Sequence, residues 1–449
     1  MAGKALAWLL ALCIQLLAVF PVCGAETTIE EQLGALLLQE QLTGIAWTLV
    51  TPEAGITTGQ TGHANIQQGA PMLPGVQFHV GSVTKAVLAT GILRLATEGS
   101  IDIDRPLSDY LPGLRLDNQW RQQAPVTVRH LLDHTSGMED ARFWQLFSQR
   151  PTPDTPLLDA LPDAPIEIRY APGKRFSYSN TGYTLLGILV EELTGQRYEH
   201  FLDQRLLAPL GMSDSTFHFT TQSGPRASPG LAWGHLDQAA PHAAAPMYLR
   251  PAGQFTTTAR DLGRLASFMM GDGRLPDGSA FIDERLQRGR GLASTTESHH
   301  HGLQAGYGLG LARRDRHGLV GYCHAGSTLG FYALLCIYPE ERRAFAYSVN
   351  TDSETADYSR VTAVFTNALG IDPVTNPTQQ PLPGDIASWF GYYAAIPTRF
   401  EQFDYVDTVF GLRQLNLTAD ETTLSLTSLQ SPPRQLLYSE GGLYRATDR

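Results

Sequence analysis

Ser82 and Lys85 stand three positions apart at the start of a long apolar run, Ala86 to Ala96, that stops before Gly99. Such a run predicts a buried helix of about four turns. On a helix, residues three apart are neighbours, so the hydroxyl and the amine share a face. The unpaired backbone N–H groups of the first turn point to the same place and favour negative charge there. A hydroxyl, an amine and free N–H donors are the parts of an acylation site: nucleophile, base and oxyanion donor. The chain holds 33 Lys and Arg residues, yet only Lys4, Lys85 and Lys174 are lysine. Arginine keeps its proton in a protein, whereas a desolvated lysine can lose one. A Ser N-cap beside a snorkelling Lys would account for the same pair without chemistry.

Two further groups carry chemistry. Tyr178-Ser179-Asn180 follows a Pro-Gly turn and precedes an amphipathic helix. A phenol there can relay protons to and from a serine, and an amide can bind a substrate carbonyl or a neighbouring lysine. The plainer reading makes Asn180 the N-cap of that helix. His324-Ala325-Gly326-Ser327 is read as the end of a strand before a hairpin at Gly330. Small residues at Ala325 and Gly326 would let a substrate backbone lie against the strand, and the Ser327 N–H would serve as a second oxyanion donor. An ordinary hairpin with a surface His fits the same residues. With an ordinary imidazole pKa of about 6.5, His324 predicts a carboxylate preference that fades above about pH 7.

The elements that must position these groups follow from hydrophobic period. Thr28 to Gln41 reads as an amphipathic helix, and Gly44 to Val50 and Gly59 to Ile66 read as strands about a turn at Pro52–Gly55. From Ser100 to about Ala240 the chain is mainly helix and loop, including Thr127–Asp133, Thr181–Thr194 and Tyr198–Leu207. Another helix spans Thr258–Met270. Strands return at Gly306–Leu311, Leu319–His324, Gly330–Tyr338 and Ala344–Asn350, followed by a last helix, Tyr358–Leu369. The order predicts an α+β fold: an antiparallel sheet flanked by helices, with an inserted, mostly helical subdomain. Residues 26–372 read as one domain built from these elements. Residues 373–388, rich in Pro and Thr, read as a linker, and 389–449 as a small β-rich unit, dispensable for acylation but not for solubility.

Residues 1–25 read as a secretory signal: Lys4, an apolar core from Ala5 to Phe20 and a small residue, Ala25, at the cut. This implies a secreted or periplasmic protein, with no membrane span beyond the signal. The formal charge of -11 excludes nucleic acid and anionic membrane surfaces as natural partners. The mature chain keeps two cysteines, Cys323 and Cys336. An exported protein can bond them, but their apolar runs read first as holding two buried free thiols. His299-His300-His301 lacks a neighbouring Cys or carboxylate cluster, so no metal is expected, nor any cofactor. Asp133 and His134 read as loop-ordering residues.

Ser-x-x-Lys, Tyr-x-Asn and His-x-Gly, in this order and spacing, resemble the serine β-lactamase and penicillin-recognising family, in particular its class C branch. That branch includes D-alanyl-D-alanine carboxypeptidases, D-aminopeptidases and esterases. The phrases Ile101–Pro112, Leu131–Met138, Ala171–Leu186, Pro209–Met212 and Gly306–Leu311 also look like it. The resemblance spans residues 28–370. It implies that Ser82 is acylated, that Lys85 and Tyr178 share the base role, that Asn180, His324, Gly326 and Ser327 bind substrate, and that Ser82 and Ser327 give the oxyanion N–H groups. His324 stands where many members have Lys, a version that looks more like the D-peptidases and some esterases. His79 replaces a commonly acidic residue. The expected substrate is a small molecule or peptide, D-amino-acid-containing peptides ahead of β-lactam-like amides. An esterase of the same fold, or a non-catalytic penicillin-binding module, is the alternative.

Overall fold

The computed structural model describes residues 27–237, 240–300, 306–314, 319–372, 379–394, 412–418, 421–428, 432–440 and 443–446. The candidate signal, residues 1–25, lies outside them.

Helix α1 (Ile29–Gln39) opens with a capping box: Thr28 accepts from the Glu31 N–H, and Glu31 accepts from the Thr28 N–H. Strands β1 (Gly44–Thr51), β2 (Gly55–Asn65) and β3 (Ala70–Pro71) follow, then helix α2 (Thr84–Thr97). Helix α3 (Asn180–Thr194) lies in the inserted subdomain, and α4 (Ala259–Met270) returns the chain to the sheet. Strands β4 (Tyr307–Gly308), β5 (Leu311–Arg314), β6 (Gly321–Thr328), β7 (Phe331–Tyr338) and β8 (Arg343–Val349) precede α5 (Tyr358–Ala368). The eight strands make one antiparallel sheet, ordered β3-β2-β1-β8-β7-β6-β5-β4.

The sheet has two different faces because strand side chains alternate. Ile45, Trp47 and Leu49 of β1 and Phe345, Tyr347 and Val349 of β8 pack with Leu33 and Leu37 of α1 and Phe365 of α5. Ala46, Ala333, Ala344 and Ala346 face the other way. Their small size lets α4 come close: a Cβ at Gly263 would lie 2.6 Å from the Thr48 hydroxyl. Helix α2 is buried nearly all round, as its composition predicts, with Ala86, Val87, Leu88, Ala89, Ile92 and Leu93 closed to solvent.

Some local readings change. The N-cap of α3 is Ser179, whose hydroxyl accepts from the Gly182 N–H; Asn180 is already helical. His324 lies mid-strand in β6, which runs on to Thr328. The Tyr198–Leu207 helix is a short α-turn, Tyr198–Leu202, continued by a wider π-turn over Asp203–Leu207. Cys323 and Cys336 are a disulfide, not free thiols: they face each other in the β6–β7 register, with Cα atoms 4.1 Å apart.

A separate five-stranded antiparallel sheet joins Gly391–Tyr393, Arg413–Leu417, Leu424–Ser428, Arg434–Glu440 and Leu443–Ala446. The expected linker is not bare coil where it is described: Gln380 donates its N–H to the Tyr438 carbonyl, and Ile386–Trp389 forms a 3₁₀ turn. Among the described residues no helix is long and apolar enough to cross a membrane.

Candidate active site

Ser82 lies in a 3₁₀ turn, Gly81–Val83, that leads directly into α2. Gly81 has φ +50°, and a Cβ there would come within 2.7 Å of the Ser327 backbone. Only glycine satisfies both demands. The fit is reciprocal, since a Cβ on Gly326 would fall 2.0 Å from the Val80 carbonyl and 2.7 Å from the Ser82 nitrogen. The Ser82 turn and β6 therefore meet backbone to backbone.

Lys85 has no exposed surface. Its Nζ donates to Ser82 Oγ at 2.9 Å and to the Ala252 carbonyl at 2.7 Å. It also lies 4.8 Å from the centre of the Tyr178 ring and 5.7 Å from that of Tyr183. A snorkelling lysine keeps its amine in water; this one does not.

Tyr178 and Asn180 are placed by the loop that ends the Val128–Leu132 helix. His134, at φ +54°, accepts the Ser179 N–H on Nδ1 at 3.1 Å, and its ring lies 4.2 Å from that of Tyr178. Burial holds the His134 pKa well below the ordinary imidazole value, and the Lys85 charge acts in the same direction. Asp140 Oδ1 takes the Asn180 backbone N–H at 2.7 Å and one side-chain N–H at 3.0 Å. Asp133 accepts the Leu309 N–H at 2.7 Å, tying the helical subdomain to β4, and burial pushes its carboxyl up to about 7. Asp133 and His134 thus order loops, as expected.

On β6, His324 is 5% exposed, and its Nδ1 is 2.6 Å from the Ala325 carbonyl. Burial pushes its pKa down to about 3, helped by the Lys85 charge. Burial therefore works against the expected titration near pH 6.5. The Ser327 hydroxyl donates to Asp352 at 3.1 Å. His79 packs edge-on to Phe331, with Nδ1 3.2 Å from the Thr256 hydroxyl. Burial lowers its pKa to about 4, and it is a core residue.

Contacts thus link Ser82, Lys85, Tyr178, His324, Gly326 and Ser327 where α2 meets β6, while the Asn180 side chain, at the start of α3, is held by Asp140. Sequence reasoning missed Ala252, whose contribution is a backbone carbonyl, and Asp140, which carries no spacing signal of its own. It also missed Tyr307, whose ring lies 4.7 Å from His134 and 5.7 Å from His324. Among the described residues no group of His, Cys, Asp and Glu is placed to hold a metal; His301 lies outside them.

A family model described as Beta-lactamase matches residues 26–365. The chain belongs to the beta-lactamase family. Among its relatives in this family is penicillin-binding protein 4 of Amycolatopsis lactamdurans, 28% identical over 341 residues, covering 70% of this chain and 84% of that one. Penicillin-binding protein 4* of Bacillus subtilis is 24% identical, covering 66% of this chain and 65% of its own, so this chain spans just under two thirds of that relative. Among solved structures, SurE matches with TM-score 0.60 at 25% identity, covering 93% of this chain and 90% of that one. The octameric penicillin-binding protein homologue from Pyrococcus abyssi has TM-score 0.62 at 20% identity, covering 93% and 94%. The D-amino acid amidase from Ochrobactrum anthropi SV3, complexed with D-phenylalanine, has TM-score 0.59 at 22% identity, covering 76% and 98%. The last two likenesses are of fold.

Proposed function

We propose that this protein is an exported serine hydrolase that forms an acyl-enzyme on Ser82. Its substrates are D-amino-acid-containing peptides or β-lactam-like amides, with peptidase activity ahead of β-lactamase. The observation that carries the reading is the fully buried Lys85 amine, 2.9 Å from the Ser82 hydroxyl. Burial favours the neutral amine, and a neutral amine beside a serine hydroxyl is a general base.

In this reading Lys85 takes the Ser82 proton as Oγ attacks the substrate carbonyl. The oxyanion forms against the Ser82 and Ser327 N–H groups, which the Gly81 and Gly326 contacts bring together. Tyr178, over the Lys85 amine, passes the proton to the leaving group. Water then releases the acyl group, with the same residues acting in reverse. The D-amino acid class is supported by the ligands named with two solved relatives in fold, D-phenylalanine with the amidase and D-Leu with SurE. Export is supported by the Cys323–Cys336 disulfide, a bond that persists in oxidising compartments.

The test is intact-mass spectrometry after exposure to a fluorophosphonate and, separately, to a penicillin, with peptide mapping of any adduct. An adduct on Ser82 supports the reading. An unreactive Ser82 would leave a binding module with a hydrolase's residues.

A further inference from the structure

Arg290 is a buried cation with no anion beside it. It follows the short Glu284–Arg288 helix and is 2% exposed. Its Nε donates to the Gln287 side-chain carbonyl at 2.9 Å, and one terminal nitrogen donates to the Thr90 hydroxyl at 3.1 Å. The other terminal nitrogen is closed to solvent and has no hydrogen-bond partner among the described residues. Both partners are neutral. Among the described residues no carboxylate acts on the guanidinium, and the one titratable group that does is the Tyr183 phenol. Burial pulls the Arg290 pKa down to about 9, so the charge is still present at neutral pH. An unpaired charge in a core weakens a fold, and an apolar side chain of similar volume would not.

The position of Arg290 shows what the charge can act on. Thr90 is on α2, and its hydroxyl donates to the carbonyl of Ala86, the residue after Lys85. Tyr183 of α3 feels both cations: its ring is 5.7 Å from the Lys85 amine, and the Arg290 charge acts on its phenol. The other groups around the amine supply no lasting charge. Tyr178 presents its ring at 4.8 Å, and burial holds His134 and His324 neutral. Asp133, which also acts on Tyr183, is pushed up to about 7 and is mostly uncharged below that pH. Arg250, near Ala252, is paired with Glu199 at 2.7 Å, and Arg314, which acts on His324, is only half-buried. In a closed, weakly polarisable core one unpaired cation makes a second one costly, so an amine nearby sheds its proton more readily.

We infer that Arg290 is a positioning residue for the base: its unpaired charge, beside Tyr183 and Thr90, keeps the Lys85 amine neutral and ready to take the Ser82 proton. The inference rests on the hydrolase reading and deepens it.

The test is the pH dependence of the acylation burst with an activated ester, followed from about pH 5 to about pH 8.5. Its rising limb reports the proton that Lys85 must lose. Arg290→Met removes the charge at similar volume. Gln287→Glu leaves the arginine in place and neutralises it with a carboxylate where the Gln287 carbonyl now accepts its Nε. Both variants should move the limb up by about one pH unit, so that acylation on the acid side slows about 10-fold. A limb that stays at the wild-type pH, or moves down, overturns the inference. So does a wild-type rate with no rising limb. A lower plateau with the limb in place is what a purely structural role gives, and it overturns the inference too. If one variant does not fold, the other decides. If neither folds, the Arg290–Gln287 pair is holding the fold together and the inference falls. A wild type that forms no acyl-enzyme on Ser82 is a different result: it removes the hydrolase reading, and this inference with it.

Discussion

Lys85 donates at once to Ser82 and to the Ala252 carbonyl, and both bonds bear on what an arginine would do in its place. Arginine holds its proton, so Lys85→Arg should slow acylation by about 10²–10⁴-fold, the usual size of lost general-base help. From the sequence one expects the melting temperature to stay put. The closed site changes that expectation, since a larger head costs roughly 1–3 kcal/mol of overpacking. A stopped-flow acylation burst with an activated ester, run beside a thermal melt, separates the two effects. A folded Lys85→Arg protein acylating at the wild-type rate would end the base assignment. Asp133 gives a pH prediction. Burial raises its pKa to about 7 in the folded state, so the folded chain binds its proton more tightly than the unfolded chain does. Its contribution to stability is full below the ordinary Asp pKa of about 4 and is lost as pH rises through about 7. Asp133→Asn keeps an acceptor for the Leu309 N–H without that loss. Its melting temperature should therefore gain on the wild type across this window, and a difference that does not move with pH refutes the assignment.

The contact between the Ser82 turn and β6 leaves no room for a methyl group at Gly326. Gly326→Ala should push β6 off the Ser82 nitrogen and cost about 10²–10³-fold in acylation, as loss of an oxyanion donor does. Wild-type burst kinetics from this variant would show that β6 does not build the oxyanion site. A second support lies behind Lys85. Arg250 opens the short Arg250–Gly253 helix that carries Ala252, and its Nε is 2.7 Å from Glu199, both side chains being almost fully buried. Glu199→Gln strands that charge and should cost about 3–5 kcal/mol in chemical denaturation; a denaturation midpoint equal to wild type would contradict it. Elements of this kind were unevenly legible in the sequence. The Ser82–Lys85 pair and Tyr178 were readable because a side chain at a helical or loop spacing declares its own chemistry. The strands were readable from their apolar runs. The choice between Ser179 and Asn180 as cap was not, since both are good caps and the winner depends on how Asp140 engages Asn180. The disulfide was hidden because it depends on the β6–β7 register. The protonation of His324 was hidden because burial, not residue type, decides it.

Over the whole molecule, the candidate site residues and the C-terminal sheet belong to separate sheets. The amidase likeness spans 98% of that protein while using 76% of this chain, so nearly all of a protein of this fold is matched by about three quarters of this chain. SurE and the Pyrococcus homologue extend over 93% of this chain, which takes them beyond the matched family region. A chain ending at Ile371 should therefore be labelled on Ser82 at close to the full-length rate while losing solubility, read by fluorophosphonate kinetics and sedimentation. A soluble, folded truncation that cannot be labelled would make the C-terminal sheet part of the site. The meeting of Gly81 with Ser327 has a consequence in time. It joins a turn in the first quarter of the chain to a strand in its last third, so the loop between them must close before the contact forms. Contacts so far apart in sequence are slow to form. In the proposed hydrolase, Ser82 gains the second oxyanion donor only when β6 docks. Recovery of labelling during refolding is thus a clock for the last tertiary step, not for the appearance of helices.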